Sequence, residues 1–95
     1  MKKIITIESN NYEIIENYND GYNEEEFKLR MTDYFYDYDY VIGDWAYGKL
    51  RLKGFYDSSN KKVKEINDYS MAKDYLKNNC AFGCKYFIAK RVYKK

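Results

Sequence analysis

A chain of 95 residues has room for one domain, read here as 1–95, and no stretch of it approaches the ~18 consecutive apolar residues that a bilayer span needs. Two cysteines and no histidine exclude Ser–His and Cys–His nucleophile pairs, and a four-ligand zinc site would need carboxylates or a second chain. The net charge of +2 conceals an asymmetry: residues 1–48 hold four basic and eleven acidic side chains (−7), residues 49–95 thirteen and four (+9). Such a split points to a charged partner, unless the halves interleave in one sheet.

Thirteen tyrosines, five phenylalanines and one tryptophan make up 20% of the chain. Large rings bury roughly 150–250 Å² each, and tyrosine keeps a hydroxyl for water or a partner. A thin core with many rings at its edge is expected. The short apolar run after Met1 does not make a signal peptide, and a cytoplasmic location is expected.

In chain order, the β-branched run at 2–8 predicts a strand and Ser9-Asn10-Asn11 a turn. Alternation over 12–17 predicts a second strand, completing a hairpin. Asn23, with Glu26 three residues on, has capping-box spacing, and Glu24, Glu25 and Glu26 suit the first turn of a helix. Phe27, Met31 and Tyr34 repeat at helical spacing, so this helix is expected to run to Tyr36. A strand follows over 40–45, with Gly43 marking a bulge or a close backbone approach. Ala46-Tyr47-Gly48 reads as a turn. The next strand, 49–56, has period two: Leu50 and Leu52 inward, Lys49, Arg51 and Lys53 outward. Residues 61–66 suggest a short edge strand guarded by lysines. Ser70 is a candidate N-cap for a helix over 71–78 with Met71, Tyr75 and Leu76 inside. The last strand, 85–93, is apolar on both faces and is expected at the centre of its sheet. The fold class is α+β: an antiparallel-rich mixed sheet of about five to six strands with two helices packed on it.

The blocks Gly43-Asp44-Trp45, Tyr47-Gly48, Leu50-Arg51-Leu52-Lys53-Gly54-Phe55 and Cys80 with Phe82-Gly83-Cys84, together with the capped acidic helix after Gly21-Tyr22-Asn23, resemble the YutD-like family of small bacterial proteins. The likeness runs from about Tyr12 to Arg91. Ala46 stands where the family pattern has glycine, and Ala81 where it has asparagine. The resemblance implies a cytosolic α+β domain and brings no catalytic residue with it.

Three groups of side chains invite a functional reading. Lys49, Arg51 and Lys53, beside Trp45, Tyr47 and Phe55, form a row that would hold phosphates while rings stack on bases; Lys85, Lys90, Arg91, Lys94 and Lys95 would extend it. The alternative is an ordinary solvated strand face. Cys80 and Cys84 read as a redox pair, half a metal site, or two small buried residues at a turn. Asp33, Asp37, Asp39 and Asp44, set among tyrosines, read as a cation or acid–base cluster, or as a polar helix end. The nucleic-acid site expected from these is Trp45, Tyr47, Lys49, Arg51, Lys53, Lys90 and Arg91. The expected function is a non-enzymatic module binding RNA or a ribonucleoprotein. The alternative is a protein–protein adaptor using the acidic, tyrosine-rich segment Tyr34 to Tyr40. An enzyme built on Asp44 and a tyrosine is a third reading. No cofactor, catalytic residue, membrane or small-molecule substrate is expected.

Overall fold

The computed structural model describes residues 3–79 and 85–92. Its strands are β1 (Lys3–Ile7), β2 (Asn10–Tyr18), β3 (Tyr40–Ala46), β4 (Lys49–Phe55) and β5 (Tyr86–Val92); its helices are α1 (Glu24–Arg30), α2 (Asp33–Tyr36) and α3 (Ala72–Asn79). Two 3₁₀ turns, Glu65–Asn67 and Tyr69–Met71, precede α3. The strands form one sheet in the order β1-β2-β5-β3-β4, and every ladder is antiparallel. The expected α+β class therefore holds, with five strands and, in place of the two helices expected, three among the described residues. Among the described residues, a parallel contribution is confined to the single bridge between Tyr56 and Asp68. Among the described residues no helix is long and apolar enough to cross a membrane.

Both faces of the sheet are packed. On one, Phe27 and Met31 of the α1 region lie on Ile5, Ile7, Tyr12, Val41, Leu50, Phe87 and Ala89. On the other, Ala72 and Leu76 of α3 lie on Tyr40, Ile42, Phe55 and Ile88. β5 supplies Phe87 and Ala89 to one core and Ile88 to the other, which is why a strand apolar on both faces sits in the middle. Gly43 marks a close approach: a Cβ there would lie 2.4 Å from the Phe87 ring.

Asn23 caps α1 as expected, its side chain accepting from the Glu26 amide at 3.0 Å. The helix ends earlier than expected. Met31 and Thr32 are extended, and the chain restarts as the single turn α2. This turns the buried Met31 onto the sheet while Tyr34 stays exposed. Residues 61–66 form no strand. Asn60 accepts from the Lys62 amide at 2.8 Å, and Asn67 from the Lys64 amide at 2.7 Å. These side-chain amides take backbone donors that a ladder would need. Ser70 lies inside the 3₁₀ turn Tyr69–Met71 rather than at a helix cap; Asp68 caps that turn, accepting from the Ser70 amide at 2.9 Å. Met71 consequently lies outside, 40% exposed, while Ala72 and Leu76 are buried.

Candidate partner-binding groove

The β3–β4 hairpin positions the cationic row. Its loop is Tyr47-Gly48, both with positive φ (53° and 75°), the conformation that joins antiparallel strands with the twist they need. The resulting register sets Asp44 opposite Arg51, Trp45 opposite Leu50 and Ala46 opposite Lys49. Side chains alternate across a sheet, so Lys49, Arg51 and Lys53 share the α3 face with Asp44 and Ile42. Trp45 shares the opposite face with Leu50 and Leu52.

The expected site residues therefore separate. Lys49 and Lys53 stand on one face with Arg51, whose Nη2 donates to Asp44 Oδ2 at 2.6 Å; Asp44 is buried, at 1% exposure. This hydrogen bond, reinforced by the carboxylate charge, raises the guanidinium further above its usual range. Lys53 Nζ lies 5.3 Å from the Phe55 ring centre and 5.7 Å from that of Tyr75. Trp45 packs on the other side, its Nε1 donating to the Gly21 carbonyl at 2.7 Å, with Lys85 Nζ 4.8 Å from its ring centre. Tyr47 projects from the hairpin tip, fully exposed. Lys90 is exposed on the α3 face but two strands away, in register with Tyr40. Arg91 is half-buried on the Trp45 face. Its guanidinium donates to the Tyr36 carbonyl and, at 2.5 Å, to Asn10 Oδ1. A single basic and aromatic surface is not assembled from these seven.

The acidic ladder disperses too. Asp37 Oδ2 accepts from Tyr56 Oη and Lys62 Nζ, both at 2.7 Å, and Lys62 and Tyr56 hold its carboxyl below the usual range. Asp39 Oδ2 accepts from the Asp57 amide and Asn60 Nδ2. Cys80, Ala81, Cys84, Lys94 and Lys95 lie outside the described residues.

What the fold does bring together are two segments that the sequence keeps apart. A groove of about 400 Å³ runs along β4. Its floor is Arg51, Leu52, Lys53 and Gly54. Tyr34, Phe35 and Tyr38 wall one side; Ile66, Asn67 and Tyr75 wall the other. The tyrosine-rich segment and the cationic strand, read separately in the sequence as rival surfaces, share this one cleft. Tyr34 and Ile66 stand at its lips, 67% and 75% exposed. Tyr38 lies flat over Gly54, where a Cβ would come within 2.3 Å of its ring. It donates to Tyr34 Oη at 3.0 Å; that bond, then burial, pushes its hydroxyl up to about 12. Burial likewise raises Tyr75. At neutral pH the groove thus offers neutral phenols beside fixed positive charge. Tyr75 and Ile66 were read in sequence as helix interior and edge strand. Gly54, between Lys53 and Phe55 in a strand, was the one local hint that a ring approaches β4 there.

Comparison with known proteins bears on this geometry. The family model "YutD-like", described as "Putative antitoxin YutD-like", matches residues 6–90. A protein of Bacillus subtilis (strain 168) named "Putative antitoxin YutD" is 45% identical over 91 residues, spanning 96% of this chain and 100% of its own length. The solution NMR structure of protein yutD from B. subtilis superposes with a TM-score of 0.81 at 44% identity, covering 97% of this chain and 84% of that one.

Proposed function

Because this chain belongs to the YutD-like family, we propose that it is a small non-enzymatic regulator that works by holding a protein partner in the groove along β4. The relative's name supplies the biological sense of that contact: an antitoxin restrains a toxin, and direct binding is the simplest way for a small domain to do so. The observation that carries the reading is the groove itself. Tyrosine walls, an apolar lip at Ile66 and an arginine in the floor are residue types enriched at protein interfaces, and Lys53 suits the charged rim of one. Asp44 lies under Arg51 at 1% exposure, out of a substrate's reach, which favours binding over catalysis.

The RNA reading draws less support. Stacking rings and phosphate-binding cations serve it when they share a surface, and here Trp45 and the Lys49–Lys53 row lie on opposite faces. The two readings part in one experiment. Affinity purification from native cells, with nuclease treatment, should retain one discrete protein in stoichiometric amount. Retention that vanishes with nuclease, with affinity falling on a log–log salt slope of about −0.7 per phosphate contact, would return the case to RNA.

A further inference from the structure

The outer edge of β4 tells what kind of partner segment the groove would take, an inference that rests on the protein-partner reading above. β4 is the last strand of the sheet and pairs only with β3 among the described residues. In an antiparallel ladder each residue turns its N–H and C=O to one side and its neighbours turn theirs to the other. Tyr56, just beyond β4, turns both away from β3: its amide donates to the Asn67 carbonyl at 2.7 Å, and its carbonyl accepts from the Tyr69 amide at 2.8 Å. Counting back by twos, Gly54, Leu52 and Leu50 turn theirs to the same outer edge. The Tyr47-Gly48 turn sets the same phase independently. A two-residue hairpin loop closes on a hydrogen-bonded pair, here Ala46 and Lys49, so Lys49, Arg51, Lys53 and Phe55 bond inward to β3.

Leu52 and Gly54 lie in the groove floor. Leu52 is half-buried; Gly54 lies beneath the Tyr38 ring; Leu50 is buried. The side chains along this edge have a charge rhythm. Lys49, Arg51 and Lys53 follow one another on the α3 face. Arg51 is engaged by Asp44, whereas neither lysine makes an ion pair with a described carboxylate. Two ammonium groups therefore root four residues, or about 13 Å, apart along the strand. On an added strand, side chains of the same face stand opposite these and interact pairwise.

We propose that β4 accepts an extended segment of a partner protein as a sixth strand, with acidic side chains at alternate positions facing Lys49 and Lys53. The segment hydrogen-bonds at Leu52 and, once the Tyr38 side chain swings off it, at Gly54. Backbone pairing supplies affinity and the lysines select the acidic partner. Tyr38 belongs to neither core cluster, so the swing leaves both in place and gives up its ring contact with Tyr56, at 4.6 Å between centres, and its bond to Tyr34.

The test uses the full chain, isotope-labelled, and an eight-residue synthetic peptide alternating glutamate and valine. Amide exchange is followed residue by residue. The amides of Leu52 and Gly54 should slow by about tenfold or more on addition of peptide, and those of Arg51 and Lys53, already bonded to β3, should not change. The same peptide with lysine for glutamate should protect neither, and Lys49→Glu with Lys53→Glu should abolish the effect of the glutamate peptide. Unchanged exchange at Leu52 and Gly54 up to the peptide's solubility limit, or equal protection by the lysine peptide, overturns the sixth-strand proposal. If a captured protein partner also leaves these amides unprotected, the strand proposal falls while the groove reading stands. Protection by the glutamate peptide without any captured protein partner supports the edge and removes the regulator reading.

Discussion

Arg51 reaches across the β3–β4 ladder to Asp44, its Nη2 donating to Oδ2 at 2.6 Å, and so supplies the counter-charge for a carboxylate that keeps only 1% of its exposure. The pair fixes the floor of the groove and takes one charge of the cationic row out of circulation. Lys49 and Lys53 are left to carry the electrostatic signal.

Removing the guanidinium strands the buried carboxylate. Arg51→Ala is expected to destabilise the domain by about 1–3 kcal/mol, less than for a fully buried pair because the arginine side chain is 47% exposed. Replacing both partners with leucine should recover most of that loss, since no charge is then left buried. Urea unfolding of the two variants checks the contrast; equal midpoints for wild type and Arg51→Ala would show that Asp44 does not depend on Arg51.

Gly43 and Gly48 are both in the hairpin yet should respond differently to alanine. At Gly43 the new methyl would meet the Phe87 ring at 2.4 Å and Leu50 at 3.1 Å, both in the core, and overpacking should cost about 1–3 kcal/mol. At Gly48 there is open space, and the cost is the positive φ of 75°, about 1 kcal/mol. Thermal melts of Gly43→Ala and Gly48→Ala should place the first lower.

Alkali should unfold the protein in a defined window. Tyr38 is raised to about 12, first by its bond with Tyr34; Tyr56 and Tyr86 reach about 12 first by burial, then by their bonds to Asp37 and Glu16. A folded state that holds phenolic protons more tightly than the unfolded chain keeps this stability in full below the ordinary value of 10.0 and loses it as pH climbs toward 12. Tyrosinate absorbance should therefore show a late class that titrates together with loss of circular dichroism. Absence of any late class would contradict the hydrogen bonds of these three hydroxyls.

Much of the frame was legible in the residues. The alternation of Lys49 to Lys53 gave the strand and its two faces, Asn23 with Glu26 gave the start of α1, and the two-sided apolarity of 85–93 put β5 at the centre. The helix break at Met31 and Thr32 was hidden because Tyr34 keeps helical spacing with Met31. The strand expected at 61–66 failed because Asn60 and Asn67 satisfy backbone donors locally, which depends on the fold around them. The separation of Trp45 from the lysines was in principle readable: a two-residue turn at Tyr47-Gly48 forces Trp45 opposite Leu50. The groove was not readable. It joins Tyr34, Tyr38, Leu52, Ile66 and Tyr75, which only the folded topology brings together.

Tyr34 and Ile66 offer the most direct test of the groove as a protein-binding site, because both are exposed at its lips and neither belongs to a core. In nuclease-treated purification from native cells, the Tyr34→Ser, Ile66→Ser double variant should still fold, giving up the Tyr38–Tyr34 bond but no core contact, and lose its protein partner by about tenfold or more. A folded double variant that retains the partner at the wild-type level would contradict binding through the β4 groove.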